Sequence, residues 1–116
     1  MMEFTLYFLR VFSLDLLYAG PFLLFLVAMI GLIGYLIGRI EGWSSSDALY
    51  HAFINATTVG YGDFRPTQRC SKLLAVILAF VGLVFTGVVL AIALHAADYA
   101  YGEVYQAEGF RDRMRE

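Results

Sequence analysis

The chain is poor in charge, in cysteine and in proline. Its 116 residues include 8 basic and 10 acidic side chains, a net charge of −2, which creates no field for nucleic acid, and no basic run is interleaved with aromatics. Nucleic acid is not an expected partner. A single cysteine, Cys70, excludes an internal disulfide, and without CxxC or HExxH there is no common structural or catalytic metal pattern. No nucleophile stands beside a base, and neither paired carboxylates nor a cofactor motif occurs, so the chain reads as a non-enzyme without a cofactor. What is plentiful is apolar: 60% hydrophobic residues, 16% aromatic, and a mean hydropathy of +0.70. That is the composition of a membrane protein. At this length one small domain fits, with no room among these residues for a voltage-sensing bundle or a folded cytosolic regulatory domain.

The few charges divide the chain. Between Asp15 and Arg39 lie 23 residues without a formal charge, and between Lys72 and Asp98 lie 25. At a rise of 1.5 Å per residue these runs reach about 35 and about 38 Å, enough to cross a hydrocarbon core of about 30 Å. Gly20 and Pro21 form a natural break, and proline is tolerated in a first helical turn. The outer spanning helix is therefore placed at 21–39 and the inner one at 71–98. Upstream, residues 1–20 mix Arg10, Ser13 and Asp15 with aromatics and leucines, which suits a helix in the headgroup region; extension of the spanning helix is the other reading. Glu3 is the one charge in the first nine residues and no Ala-x-Ala site follows, which disfavours a secretory signal. Basic residues do not fix the topology, since four (Arg39, Arg65, Arg69, Lys72) lie between the spans and four (Arg10, Arg111, Arg113, Arg115) at the ends.

The segment between the spans is too long for a tight turn and holds its own apolar stretch. Ser44 followed three residues later by Asp47 forms a capping box, so a short helix is expected at 45–57. It runs into Thr57-Thr58-Val59-Gly60-Tyr61-Gly62-Asp63. Irregular backbone at membrane depth is tolerated only where it is buried in protein or lines a water-filled path. Gly60 and Gly62 can take positive φ, and alternating with Val59 and Tyr61 they allow successive carbonyls to point one way. Such a ladder, with the Thr58 hydroxyl at one end, can replace the water around a monovalent cation. One loop cannot encircle an ion, so several copies around an axis are expected.

At Thr58 to Gly62 the chain resembles the potassium channels, whose selectivity filter carries the Thr-Val-Gly-Tyr-Gly signature; here Thr57 and Asp63 extend it. The resemblance covers roughly residues 21–98 and is closest to the prokaryotic type with two spanning helices. It implies an all-α membrane protein in which two transmembrane helices flank a re-entrant pore helix and a filter loop (58–63), assembled as a homotetramer in the cell membrane. Both termini, including the tail 99–116, would be cytoplasmic. K+ would be held by the carbonyls of Thr58, Val59, Gly60 and Tyr61 and the Thr58 hydroxyl. Asp63 would stand at the external mouth, and the C-terminal end of the pore helix, at Ala56 and Thr57, would favour a cation through its partial negative charge. The implied function is passive, potassium-selective conduction with a gate on the inner helix.

The filter's surroundings depart from the best-known bacterial members. Tyr50 and His51 stand where many have a tryptophan pair, and Ile54 where some have a buried glutamate. Two hydrogen bonds are expected, His51 to the Tyr61 hydroxyl and Tyr50 to Asp63, against packing alone. In the inner helix, Gly82 and Gly87 are the hinge candidates: Gly82 matches a gating hinge of the family, with close helix packing as the other reading, and Gly87 suggests close packing. Leu83, Thr86, Leu90 and Leu94 share one face that suits a cavity and a hydrophobic gate. In the outer helix, Gly34 and Gly38 form a GxxxG pair for close helix packing. Arg39, Glu41 and Trp43 read as interfacial anchors. His95 and Asp98, three apart, form either a proton-sensitive pair or an ordinary interfacial one. Two alternatives stand beside the channel: a subunit of a potassium transporter, and a non-conducting membrane scaffold assembled through Gly34 and Gly38. Gating is either intrinsic or supplied by a cytosolic regulatory domain that lies outside these residues.

Overall fold

The computed structural model describes residues 1–116, all helix and connecting loop: α1 (Met2–Glu41), α2 (Ser45–Ala56) and α3 (Arg69–Arg115). Two of the three, α1 and α3, are long and apolar enough to cross a membrane. Neither gap in charge contains a helix break. The start expected at Pro21 is corrected, because α1 passes through it from Met2. Proline forfeits the hydrogen bond to the carbonyl four residues back and its ring crowds the preceding residue. Here that residue is Gly20, which has no Cβ to meet the ring, and the leucines and phenylalanines on either side favour helix. The tail is likewise helical to Arg115.

The contacts group the residues into two compact units, Pro21–Val88 and Met1–Gly20 with Val89–Glu116. In the first, Ile30, Ile33 and Ile37 recur at helical spacing on one face of α1 and form the core with Ala52, Ala56 and Leu78. α2 is seated by small residues. A Cβ on Gly34 would lie 2.3 Å from the Ala52 Cβ, and one on Gly38 would lie 2.4 Å from the Ala48 Cβ. On its other side, a Cβ on Gly82 of α3 would lie 2.4 Å from both Cα and O of Ala56. Alanines four residues apart on α2 thus meet glycines of α1 and α3 with almost no side chain between the backbones.

The turn between α1 and α2 is made by local chemistry. Gly42 takes φ +76° and the Trp43 N–H reaches back to the Gly38 carbonyl at 2.9 Å, the glycine-terminated helix end in which a left-handed residue returns the chain. Ser44 then caps α2, its hydroxyl accepting from the Asp47 N–H at 3.2 Å. The capping-box start is where the sequence places it.

In the second unit, Phe4, Phe8 and Phe12 stack one turn apart along α1, with centroids 6.2 and 5.5 Å apart. Phe4 also packs on Tyr101 of α3 at 4.9 Å. Asp15 pairs with His95 Nδ1 at 2.7 Å, and Glu3 accepts from Arg111 at 3.1 Å. His95 therefore meets a carboxylate of the other helix, where sequence spacing had suggested Asp98. Distance along one helix could not show a partner 80 residues away.

Candidate functional site

The loop after α2 is held by the helix end itself. The Thr57 N–H and hydroxyl both donate to the Phe53 carbonyl, at 2.9 and 2.6 Å. The Thr58 N–H donates to Asn55 O at 3.2 Å and the Gly60 N–H to Ile54 O at 3.1 Å. Asn55 is in turn tied to α3, its Nδ2 donating to Ala75 O at 3.2 Å. Every second residue then has left-handed φ: Thr58 at +68°, Gly60 at +54° and Gly62 at +78°. Val59 and Tyr61 do not, so the backbone alternates in hand. Nothing lies within 4 Å of a Cβ built on Gly60 or Gly62, so it is the dihedral and not the space that calls for glycine there.

Thr58 is the unforeseen member. A β-branched residue with positive φ is strained by about 1 to 3 kcal/mol, and its neighbours' hydrogen bonds to the last turn of α2 oppose relaxation. Composition offered no signal for this, since threonine ordinarily avoids that conformation. The loop side chains are turned outward in the single chain, with Val59 50% and Tyr61 71% exposed.

Behind the loop a cavity of ≈ 210 Å³ is bounded by His51, Ile54, Asn55, Asp63, Arg65 and Ala75, among others. His51 is buried, its ring edge-on to Trp43 at 5.0 Å, and its Nδ1 has no hydrogen-bond partner within the chain. Phe64 meets Trp43 at 5.4 Å and Tyr50 at 6.0 Å, both edge-on. Asp63 accepts from the Phe64 N–H at 3.1 Å. The structure thus brings Tyr50, His51, Ile54 and Asp63 together around the loop.

On α3, the two glycines differ in their surroundings within the chain. Gly82 is the tightly packed one, while nothing lies within 4 Å of a Cβ on Gly87. Thr86 is half-buried with its hydroxyl 3.5 Å from the Ala56 carbonyl. Leu83, Leu90 and Leu94 are exposed.

The residue that sequence reasoning missed is Glu41. Read as an anchor, it proves to be an acceptor for the start of α3. Its Oε1 receives the Thr67 N–H at 2.7 Å and the Gln68 N–H at 2.9 Å, and its Oε2 receives the Thr67 hydroxyl at 2.7 Å. The Ser71 hydroxyl also donates to it. Glu41 lies beyond the uncharged run, and these donors, the Gln68 N–H foremost and then the Ser71 and Thr67 hydroxyls, hold its carboxyl at about 2. Partners 26 to 30 residues away left no local pattern to find it by.

Two long apolar helices, with a short capped helix and an alternating-hand loop between them, make up a membrane protein. The sequence model of the family described as "Ion channel" matches residues 22–98, and the chain belongs to that family. It is 44% identical over 64 residues to two-pore potassium channel 1 of Arabidopsis thaliana, covering 53% of this chain and 17% of the relative. With two pore potassium channel a of Oryza sativa subsp. japonica the identity is 35% over 82 residues, 66% of this chain and 23% of the relative. With potassium channel protein 1 of Methanocaldococcus jannaschii it is 33% over 58 residues, 50% of this chain and 17% of the relative. The chain therefore spans about a fifth of the length of these curated relatives. No solved structure matches significantly.

Proposed function

We propose that this chain is the pore-forming unit of a potassium-selective channel of the prokaryotic two-helix type. The observation that carries the reading is the loop Thr58–Gly62, whose signature sequence takes alternating hand directly after a capped helix. Membership of the ion-channel family and the names of three relatives, all potassium channels, support it. One chain carries one such loop, so four chains around an axis supply the rings of carbonyls from Thr58, Val59, Gly60 and Tyr61, with α2 entering and leaving the membrane on one side. Each ring replaces part of the hydration shell of K+, neighbouring ions repel one another onward, and the membrane potential contributes about 2.3 kcal/mol per charge per 100 mV. The carbonyl end of α2, at Ala56 and Thr57, favours a cation in the cavity below. Asp63 faces outward, and both termini face the cytoplasm.

The gate belongs to α3 in this reading, with Leu83, Thr86, Leu90 and Leu94 toward the pathway. Gly82 is pinned against the Ala56 backbone, whereas Gly87 has open space around it, which favours Gly87 as the place where the helix bends. The scaffold alternative needs Gly34 and Gly38 free for another chain, yet both are occupied by Ala52 and Ala48 of their own. The test is the reversal potential of single-channel current from the purified protein in planar bilayers, potassium on one side and sodium on the other. Displacement toward the potassium equilibrium potential is expected; a reversal near zero would refute selectivity.

A further inference from the structure

The chain passes between its two compact units at two points, Gly20–Pro21 in α1 and Val88–Val89 in α3. Each crossing falls where its helix is weakest. Pro21 has no N–H to offer the Leu17 carbonyl, and sharp helix bends concentrate at proline. Gly20 before it, and Gly87 beside the second crossing, would each meet nothing within 4 Å if a Cβ were added. Close packing therefore does not call for either glycine, and what each supplies is a backbone free to turn. The two points also lie at matching depth along their helices. Twenty residues separate Pro21 from the end of α1 at Glu41, and 18 separate Gly87 from the start of α3 at Arg69, about 30 and about 27 Å of helix.

Beyond the crossings the two helices are fastened to each other. Asp15 pairs with His95 at 2.7 Å, Phe4 lies on Tyr101 at 4.9 Å and Glu3 accepts from Arg111 at 3.1 Å. Ala96 and Ala100 of the same unit are wholly buried. Every buried residue of α1 lies after Pro21, so the first 20 residues are held by these contacts with α3 and not by the core around α2.

We infer that the gate moves as a two-helix body: α1 bends at Gly20–Pro21 whenever α3 bends near Gly87, and residues 1–20 travel with residues 89–116. The inference rests on the proposed channel function. Bending of α3 alone would part Asp15 from His95 and strip Phe4 from Tyr101. Bending both helices at one level keeps those contacts and flexes only two points that are already weak. Leu90 and Leu94 lie beyond the second crossing and ride on the moving body, whereas Leu83 and Thr86 stay in the unit that holds α2. The outer helix is thus a working part of the gate, and its stiffness sets the open probability together with that of α3.

The experiment is single-channel recording at fixed voltage in symmetric potassium, with two changes made separately and together. In the first, Gly20→Ala with Pro21→Ala returns the missing N–H and two strong helix formers to α1. Open probability should fall about tenfold, a shift of about 1.4 kcal/mol in the gating equilibrium, with the reversal potential in a potassium–sodium gradient unchanged. In the second, Phe4→Cys and Tyr101→Cys, in a Cys70→Ser background, are joined within the chain by a short, reducible, bifunctional thiol reagent. A gate that moves as one body should still open when the two helices are joined. Stiffening α1 in the joined protein should again lower the open probability about tenfold. If joining shuts the channel and reduction of the reagent reopens it, α3 moves alone and the inference is overturned. A stiffened α1 that leaves open probability unchanged overturns it equally, and this comparison decides by itself if the cysteine variant fails to assemble. Failure of the channel reading would show separately, as wild-type protein that passes no potassium-selective current.

Discussion

A glycine's worth is set by what stands opposite. Gly82 faces the backbone of Ala56, whose Cα and O would each lie 2.4 Å from an added Cβ; backbone cannot swing away as a side-chain tip can. Gly82→Ala should lower stability by roughly 1 to 3 kcal/mol, the usual cost of overpacking, read as an earlier thermal loss of the assembled protein. Gly87→Ala meets nothing within 4 Å in the chain and gains helix propensity of about 1 kcal/mol, so it should leave thermal stability equal or higher while stiffening the proposed bend and lowering open probability. Glu41 gives a prediction in pH. Its carboxyl lies at about 2 instead of 4.5, so its contribution is complete above the ordinary carboxylate value and is lost as pH falls through the lower one. Between neutral pH and 5 the thermal stability attributable to Glu41 should be flat, taken as wild type minus Glu41→Gln. Below 4.5 that difference should shrink towards zero near 2.

Among the elements, α2 is where local sequence and tertiary contact agree. Its start was legible because a capping serine acts on a neighbour three residues away, and Ser44→Ala should cost about 1 kcal/mol, measured as a fall in the denaturation midpoint. The loop was legible in part. Gly60 and Gly62 advertise positive φ, but Thr58 does not, and only the hydrogen bonds of Thr58 and Gly60 to the end of α2 reveal how the strained conformation is held. The long helices were legible as apolar runs, although not in extent. Pro21 looked like a start because the cost of an internal proline is visible in sequence, while the relief from a preceding glycine emerges only from the joined helix. Contacts across the fold, such as Glu41 with Thr67 and Ser71 or Asp15 with His95, have no periodicity and could not be read at all.

For the whole molecule, one chain leaves a large apolar surface uncovered, including Phe22, Phe25, Phe80 and Leu90, each 49% exposed or more. Such surface needs lipid, further copies or both, and the proposed tetramer in a bilayer has both. Purified protein in detergent should sediment with four chains per particle, as read by multi-angle light scattering corrected for detergent; a monodisperse monomer would contradict the pore. The exposed pair Glu3–Arg111 should contribute little to the stability of the chain, about 0 to 1 kcal/mol, and more at low salt than at high.

The row of alanines on α2 carries one more consequence. Gly34 with Ala52, Gly38 with Ala48 and Gly82 with Ala56 are contacts between residues that have no χ angle to rotate. A helix seated on leucines can shift as rotamers exchange; one seated on bare backbone has no such slack. Its height is set by covalent geometry, as a gauge block sets a machine tool. In the proposed tetramer, four loops meeting around an ion about as wide as a water molecule would inherit their common radius from the places where this chain spends the least side chain.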